Sequence, residues 1–192
     1  IIYTIESFAS LIRQRRSTRK FTSELLTPEQ VEAIMKAALM APSSKQSTPW
    51  QFVLVEDKEM LQKLSETRQN GSTFLAGCAL AVVVMAAPMV SDAWIEDASI
   101  AAIYMQLQAE DLGLGSCWCQ IHGRQRPDDS EAQDYVRQLL DIPYQLEVLC
   151  IVGIGNKDQV RKPFDDAHLQ WEKISMGKYQ MPKNNDKEES KE

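Results

Sequence analysis

The chain of 192 residues is 44% hydrophobic and 25% charged, with a formal net charge of −6 and a pI near 5.1. It is long enough for one substantial core and too short to favour two, and its acidic balance excludes an extended nucleic-acid surface, which needs Lys and Arg spread along a face. The longest apolar run, around residues 75–90, is broken by Gly77 and Pro88 and falls short of the ~20 residues that a membrane-spanning helix requires.

In chain order, Ile5, Phe8, Leu11 and Ile12 recur at helical spacing and predict an amphipathic helix. Its end delivers RQRRSTRK, residues 13–20, in which five of eight residues are cationic. Thr27-Pro28-Glu29-Gln30 is a helix start, with Thr27 as N-cap, Pro28 at the first position and Gln30 closing a capping box. Val31, Ile34, Met35, Ala38 and Leu39 form one stripe, and Pro42 stops the helix. APSSKQSTPW, residues 41–50, reads as a loop, Gln51–Glu56 as a strand and Lys58–Thr67 as a short helix.

Leu80–Met85 is a β-branched run suited to a strand covered on both faces. Asp92 is placed to cap a helix running to about Leu112, where Gly113 ends it. Apolar residues cover nearly the whole circumference of this helix, which predicts a central, buried position. Strands are expected at Ser116–Ile121 and Val148–Ile154, with a helix over 130–140 between them. One domain over residues 1–182 and a charged, frayed tail over 183–192 are expected. Strands alternating with helices indicate an α/β or α+β sandwich.

The chemistry-bearing residues narrow the choice. Cys117 and Cys119 share one strand face without the residue gap of zinc knuckles, so these thiols, like Cys78 and Cys150, are read as packed small hydrophobes, with no metal. No charged-then-apolar leader precedes them, and a reduced, cytoplasmic setting is expected. His122 and His168 are the only histidines, Ser43-Ser44 lacks a nucleophile elbow, and Gly153-x-Gly155 lacks a third glycine. What is left is the arginine cluster and a weaker group, Lys157, Arg161 and Lys162. Two cationic patches bracketing an apolar core suggest a phosphate at one end of a ligand and an apolar or aromatic group beyond it.

These residues carry a resemblance. Arg15-Arg16-Ser17-Thr18-Arg19-Lys20-Phe21 resembles the R-R-S-x-R-x-F opening of the FMN-dependent nitroreductase family, and residues 41–50 resemble its A-P-S-x-x-N-x-Q-P-W loop, with Gln46 and Thr48 where the family has Asn and Gln. Residues 112–118, LGLGSCW, are similar to its segment after the long helix, and residues 151–155 with Arg161 and Lys162 to its closing strand and phosphate loop.

The resemblance implies an α+β fold, a three-layer α-β-α sandwich. It implies a homodimer with FMN between the subunits, NADH or NADPH as donor, and a small-molecule acceptor such as a quinone or nitroaromatic. A flavin-binding module without turnover is the alternative. Arg15, Arg16 and Ser17 would hold the phosphate, with Arg161 and Lys162 completing its cage. Arg19 would lie at the flavin pyrimidine edge. Pro42, Ser43, Ser44 and Gln46 would reach the flavin across the dimer, and the backbone of Trp118, Cys119 and Gln120 would border the isoalloxazine. The mid-chain flavin contact of larger members has no clear counterpart, Asn70 and Ser72 being nearest. Trp94, Tyr104 and Phe74 are expected to fill the core.

Overall fold

A computed structural model describes residues 7–181. The expected part of Ile5 in the first helix, and the tail over 183–192, lie outside the described residues. A central sheet has the order β1-β2-β4-β3, with β1 Trp50–Val55, β2 Leu80–Ala86, β3 Gly115–Gln120 and β4 Glu147–Gly155. Every neighbouring pair is antiparallel, so the alternation of helices and strands resolves to α+β.

β2 explains the layering. All seven of its residues are buried, and the strand alternation sends them to two cores. Leu80, Val82, Val84 and Ala86 pack with α2 (Pro28–Leu39) and α4 (Trp94–Asp111). Ala81, Val83 and Met85 pack on the other face with α3 (Lys58–Ser65) and α5 (Ala132–Leu140). The result is the three-layer sandwich. A register shift between Val84 and Met85, opposite Leu149, turns Leu149 and Cys150 toward the same core.

α1 is Phe8–Gln14, capped by Ser7. The capping box at Thr27 and Gln30 forms with both hydrogen bonds, 3.3 and 2.9 Å. Gly113, at φ +77°, follows α4, and the Leu114 N–H returns to the Ala109 carbonyl. Two expectations about α4 need correction. Ala93 rather than Asp92 is the N-cap residue, and it makes no side-chain cap; the Ser91 hydroxyl instead accepts from the Ala93 N–H and donates to Asp97. The helix is also buried on one stripe only, through Trp94, Ala98, Ala101, Ala102, Met105 and Ala109, while Ile95, Ile103 and Tyr104 stay exposed. Among the described residues, no helix is long and apolar enough to cross a membrane.

Candidate functional site

After α1 the chain turns extended, touches the outer edge of β3 at one residue and crosses the end of the sheet toward the end of β4. Ser17 bridges Ser116 in parallel, with the Thr18 N–H donating to the Ser116 carbonyl at 2.9 Å. Farther on, Phe21 pairs with Lys157, and the Asp158 N–H donates to the Lys20 carbonyl. This extended stretch sorts the cluster by parity. Burial pushes the Cys117 thiol up, and the nearby Arg19 charge, the Ser17 hydroxyl and the Arg161 and Arg15 charges pull it down. Three guanidinium charges and a hydroxyl thus act on one strand residue. Among the described residues, none of Arg15, Arg19 and Arg161 pairs with a carboxylate.

Arg16 and Thr18 face the other way. The Arg16 guanidinium donates to the Lys162 carbonyl, and Thr18 covers Gly115, where an added Cβ would stand 2.7 Å from the threonine side chain. Between them is a cleft of about 300 Å³ lined by Gln14, Arg16, Thr18, Lys157 and Arg161. Lys157 is neutralised there by Glu110 at 2.6 Å, whereas the Lys162 side chain is exposed. The opening motif thus holds the 157–162 segment with one face and presents cations with the other.

The edge of β3 supplies donors. In an antiparallel ladder alternate residues point toward and away from the partner strand, and the outward Ser116 places Trp118 and Gln120 outward too. Their N–H groups have no partner among the described residues. The Gln120 side chain is fixed by the Trp118 indole N–H, 2.9 Å, and by its own bond to the His122 carbonyl, 3.0 Å. Cys119, on the Cys117 face, has its thiol pushed up to about 11 by burial against the opposing pull of Arg68. Nothing local in the sequence singles out Arg68, unlike Asn70 and Ser72. Asn70 is exposed, and Ser72 is a buried knot whose hydroxyl donates to the Ser65 and Arg68 carbonyls.

The 41–50 loop lies elsewhere. The Ser44 N–H donates to Asp97 at 2.7 Å and the Ser43 hydroxyl accepts from the Thr48 N–H at 2.9 Å. Lys45, Gln46 and Thr48 all hold positive φ, a costly conformation for residues with a Cβ. Pro42 and Gln46 are exposed. Asp97 marks the loop's end of α4 and Glu110 the cation end. Thirteen residues at ~1.5 Å each put about 20 Å between them. One chain does not bring the loop and the arginines together. Phe74 and Trp94 fill the core as expected, but Tyr104 stands on the outer face of α4.

Known proteins share this fold. The nitroreductase family model matches residues 12–94 and 66–156. A solved FMN-dependent nitroreductase of Clostridium difficile superposes with a TM-score of 0.88 at 43% identity, over 90% of this chain and all of that one. A protein of Archaeoglobus fulgidus, assigned provisionally as an NADH dehydrogenase/NAD(P)H nitroreductase, is 36% identical over 79% of this chain and 86% of its own. The NADPH:FMN oxidoreductase of Vibrio harveyi shares the fold, with a TM-score of 0.76 at 23% identity over 90% of this chain and 78% of that one. The family match makes this three-layer sandwich the scaffold of an FMN-dependent oxidoreductase. The chain belongs to the nitroreductase family.

Proposed function

We propose that the chain is a homodimeric, FMN-dependent NAD(P)H oxidoreductase that passes electrons to a small conjugated acceptor such as a quinone or nitroaromatic. The observation that carries the reading is that Arg15, Arg19, Arg161 and Ser17 all act on Cys117 and that, among the described residues, these arginines have no carboxylate partner and the outward N–H groups of Trp118 and Gln120 on β3 have no acceptor. A phosphate suits forked guanidiniums, and a heteroaromatic ring edge suits the backbone donors. These groups fit FMN, which when bound accepts hydride from the nicotinamide and returns the electrons to the second substrate.

The protein's part is to bind and orient. Arg15, Ser17 and Arg161 would hold the phosphate and Lys162 would add charge at its rim, while Arg16 keeps the 157–162 segment in place. Arg19 would serve the pyrimidine side of the ring, and the Trp118–Gln120 backbone would supply donors to it. Pro42, Ser43, Ser44 and Gln46 would come from the second subunit, since in this chain the loop sits at the opposite end of α4 from Glu110 and Lys157. Donor and acceptor take turns at one face in a ping-pong cycle. Four buried free thiols fit a reducing cytoplasm.

The test is the visible spectrum of the purified protein, followed by anaerobic NADH, then NADPH, then a quinone or nitroarene. Bleaching and recovery support the reading and identify the donor. A bound flavin that neither nicotinamide bleaches would make the protein a flavin-binding module, and a protein that takes up no FMN would overturn the assignment.

A further inference from the structure

The cleft behind the opening motif has no part in the proposed flavin site. Arg16 and Thr18, which face away from Arg15, Ser17 and Arg19, line it together with the C-terminal end of α4 and the segment after β4, and it encloses about 300 Å³. Three cations border it, Arg16, Lys157 and Arg161, against one carboxylate, Glu110. In a chain of net charge −6, that excess is local.

Each of these groups is held in place yet keeps donors free. The Arg16 guanidinium donates to the Lys162 carbonyl, which occupies one of its five N–H groups, and among the described residues no carboxylate takes the others. Lys157 is bonded to Glu110 at 2.6 Å, and because that carboxylate is only 6% exposed it fixes the ammonium at the cleft wall. Arg161 pairs with no carboxylate among the described residues. Gln14 and Gln159 add side-chain amides, and Val160 and Pro163 an apolar wall. Forked guanidiniums and an ammonium suit phosphate oxygens, amides suit hydroxyls, and the apolar wall suits the face of a sugar. The volume stands at the lower end of the roughly 300–1,000 Å³ usual for ligand sites, which suits a sugar phosphate rather than a whole dinucleotide.

We propose that this cleft is a second anion site, separate from the flavin phosphate cage, that binds a ribose phosphate. Two sources share that chemistry, the 2′-phosphate end of NADPH and a free nucleotide or sugar phosphate. The cleft adjoins the proposed cage through Arg161 but needs no flavin, so the two readings fail separately.

The full-length protein with its flavin bound is titrated calorimetrically at low ionic strength with 2′-AMP, 5′-AMP, ribose 5-phosphate and inorganic phosphate. The ribose phosphates are expected to bind without releasing flavin. Lys157→Gln removes the charge while keeping a donor to Glu110, and is expected to weaken them about tenfold. Glu110→Gln removes the opposing charge and is expected to tighten them, a direction that lost structure would not produce. Flavin absorbance and melting temperature check that both variants are intact. Kinetics with the two nicotinamides assign the source: a KM for NADPH that rises in Lys157→Gln, with kcat and the NADH parameters unchanged, identifies the donor's 2′-phosphate, and an unchanged KM for both identifies a free sugar phosphate. Absence of binding by the wild-type protein, or binding that neither variant alters, overturns the proposal and leaves the flavin reading standing. Binding seen only in flavin-stripped protein and abolished by FMN also overturns it, because the cleft then belongs to the flavin phosphate. A protein that takes up no flavin yet binds the ribose phosphates supports the cleft and overturns the cofactor reading alone.

Discussion

Arg19 exerts the strongest pull of any charge on the Cys117 thiol and has no acid partner among the described residues, so its field is free to act on a ligand. Removing it as Arg19→Ala is expected to leave FMN bound, because the phosphate keeps Arg15, Ser17 and Arg161. The two-electron potential should fall by tens of millivolts, since ~30 mV corresponds to ~1.4 kcal/mol in such a couple. An unchanged potential in a spectroelectrochemical titration would remove Arg19 from the redox role. The thiols make an opposite prediction, of inertness. Burial raises all four, Cys119 to about 11 and Cys78 to about 12 against an ordinary 9.0. They should resist a disulfide reagent near neutral pH until the protein is unfolded. Because the folded pKa is the higher one, the unfolded chain releases its thiol protons first. Stability is therefore undiminished by these groups below about pH 9 and falls as pH rises toward 11 and 12, which melting curves over that range would register. The arginine cluster was legible in the sequence because its members are contiguous. Arg68 was not, because its charge acts on Cys119, fifty-one positions away in the chain.

Among the elements, the loop after α2 depends on one buried side chain. Asp97, 2% exposed, accepts from the Ser44 N–H and from the Ser91 hydroxyl, each at 2.7 Å. With three non-glycine residues at positive φ, the loop needs that anchor. Asp97→Asn presents an amide N–H₂ where an acceptor is required and is expected to cost about 1–3 kcal/mol in denaturant unfolding. It should also lower FMN occupancy if the loop reaches the cofactor of the second subunit. Thr27→Ala is the matching control. It opens the α2 capping box at a cost of about 1 kcal/mol and should leave occupancy unchanged; a comparable loss of flavin in both variants would mean that occupancy follows stability rather than the loop. The α2 cap could be read from sequence because it is complete within four residues. The α4 cap could not: Ser91 and Asp97 serve the 41–50 loop, a tertiary demand that local propensity does not contain. The expectation of a helix buried all round fails for a related reason, since apolar residues round a helix do not say which stripe the core takes.

For the whole molecule, that uncovered face is the strongest sign of a second copy. A groove of about 490 Å³ is lined by Phe8, Leu11, Ala37, Met40, Tyr104 and Leu107, with Phe8 65% and Met40 70% exposed. Ile103 extends the face along α4, and Trp171 and Ile174 leave further apolar area open in the segment beyond β4. A monomer that kept such a patch in water would be exceptional. A two-fold partner seated on α4 would cover the groove and carry its own 41–50 loop toward the arginines of the first chain, closing the ~20 Å gap that one chain leaves. Ile103→Asp with Tyr104→Asp is expected to yield a monomer by light scattering, with helix content retained in circular dichroism, because neither side chain belongs to the buried stripe. The decisive quantity is FMN occupancy of that monomer. Loss of flavin, with the arginines untouched, is expected if each site is completed by the partner's loop. Retention at wild-type affinity would place the whole cofactor site within one chain, and a wild-type protein that is monomeric with flavin bound would remove the dimer from the reading altogether.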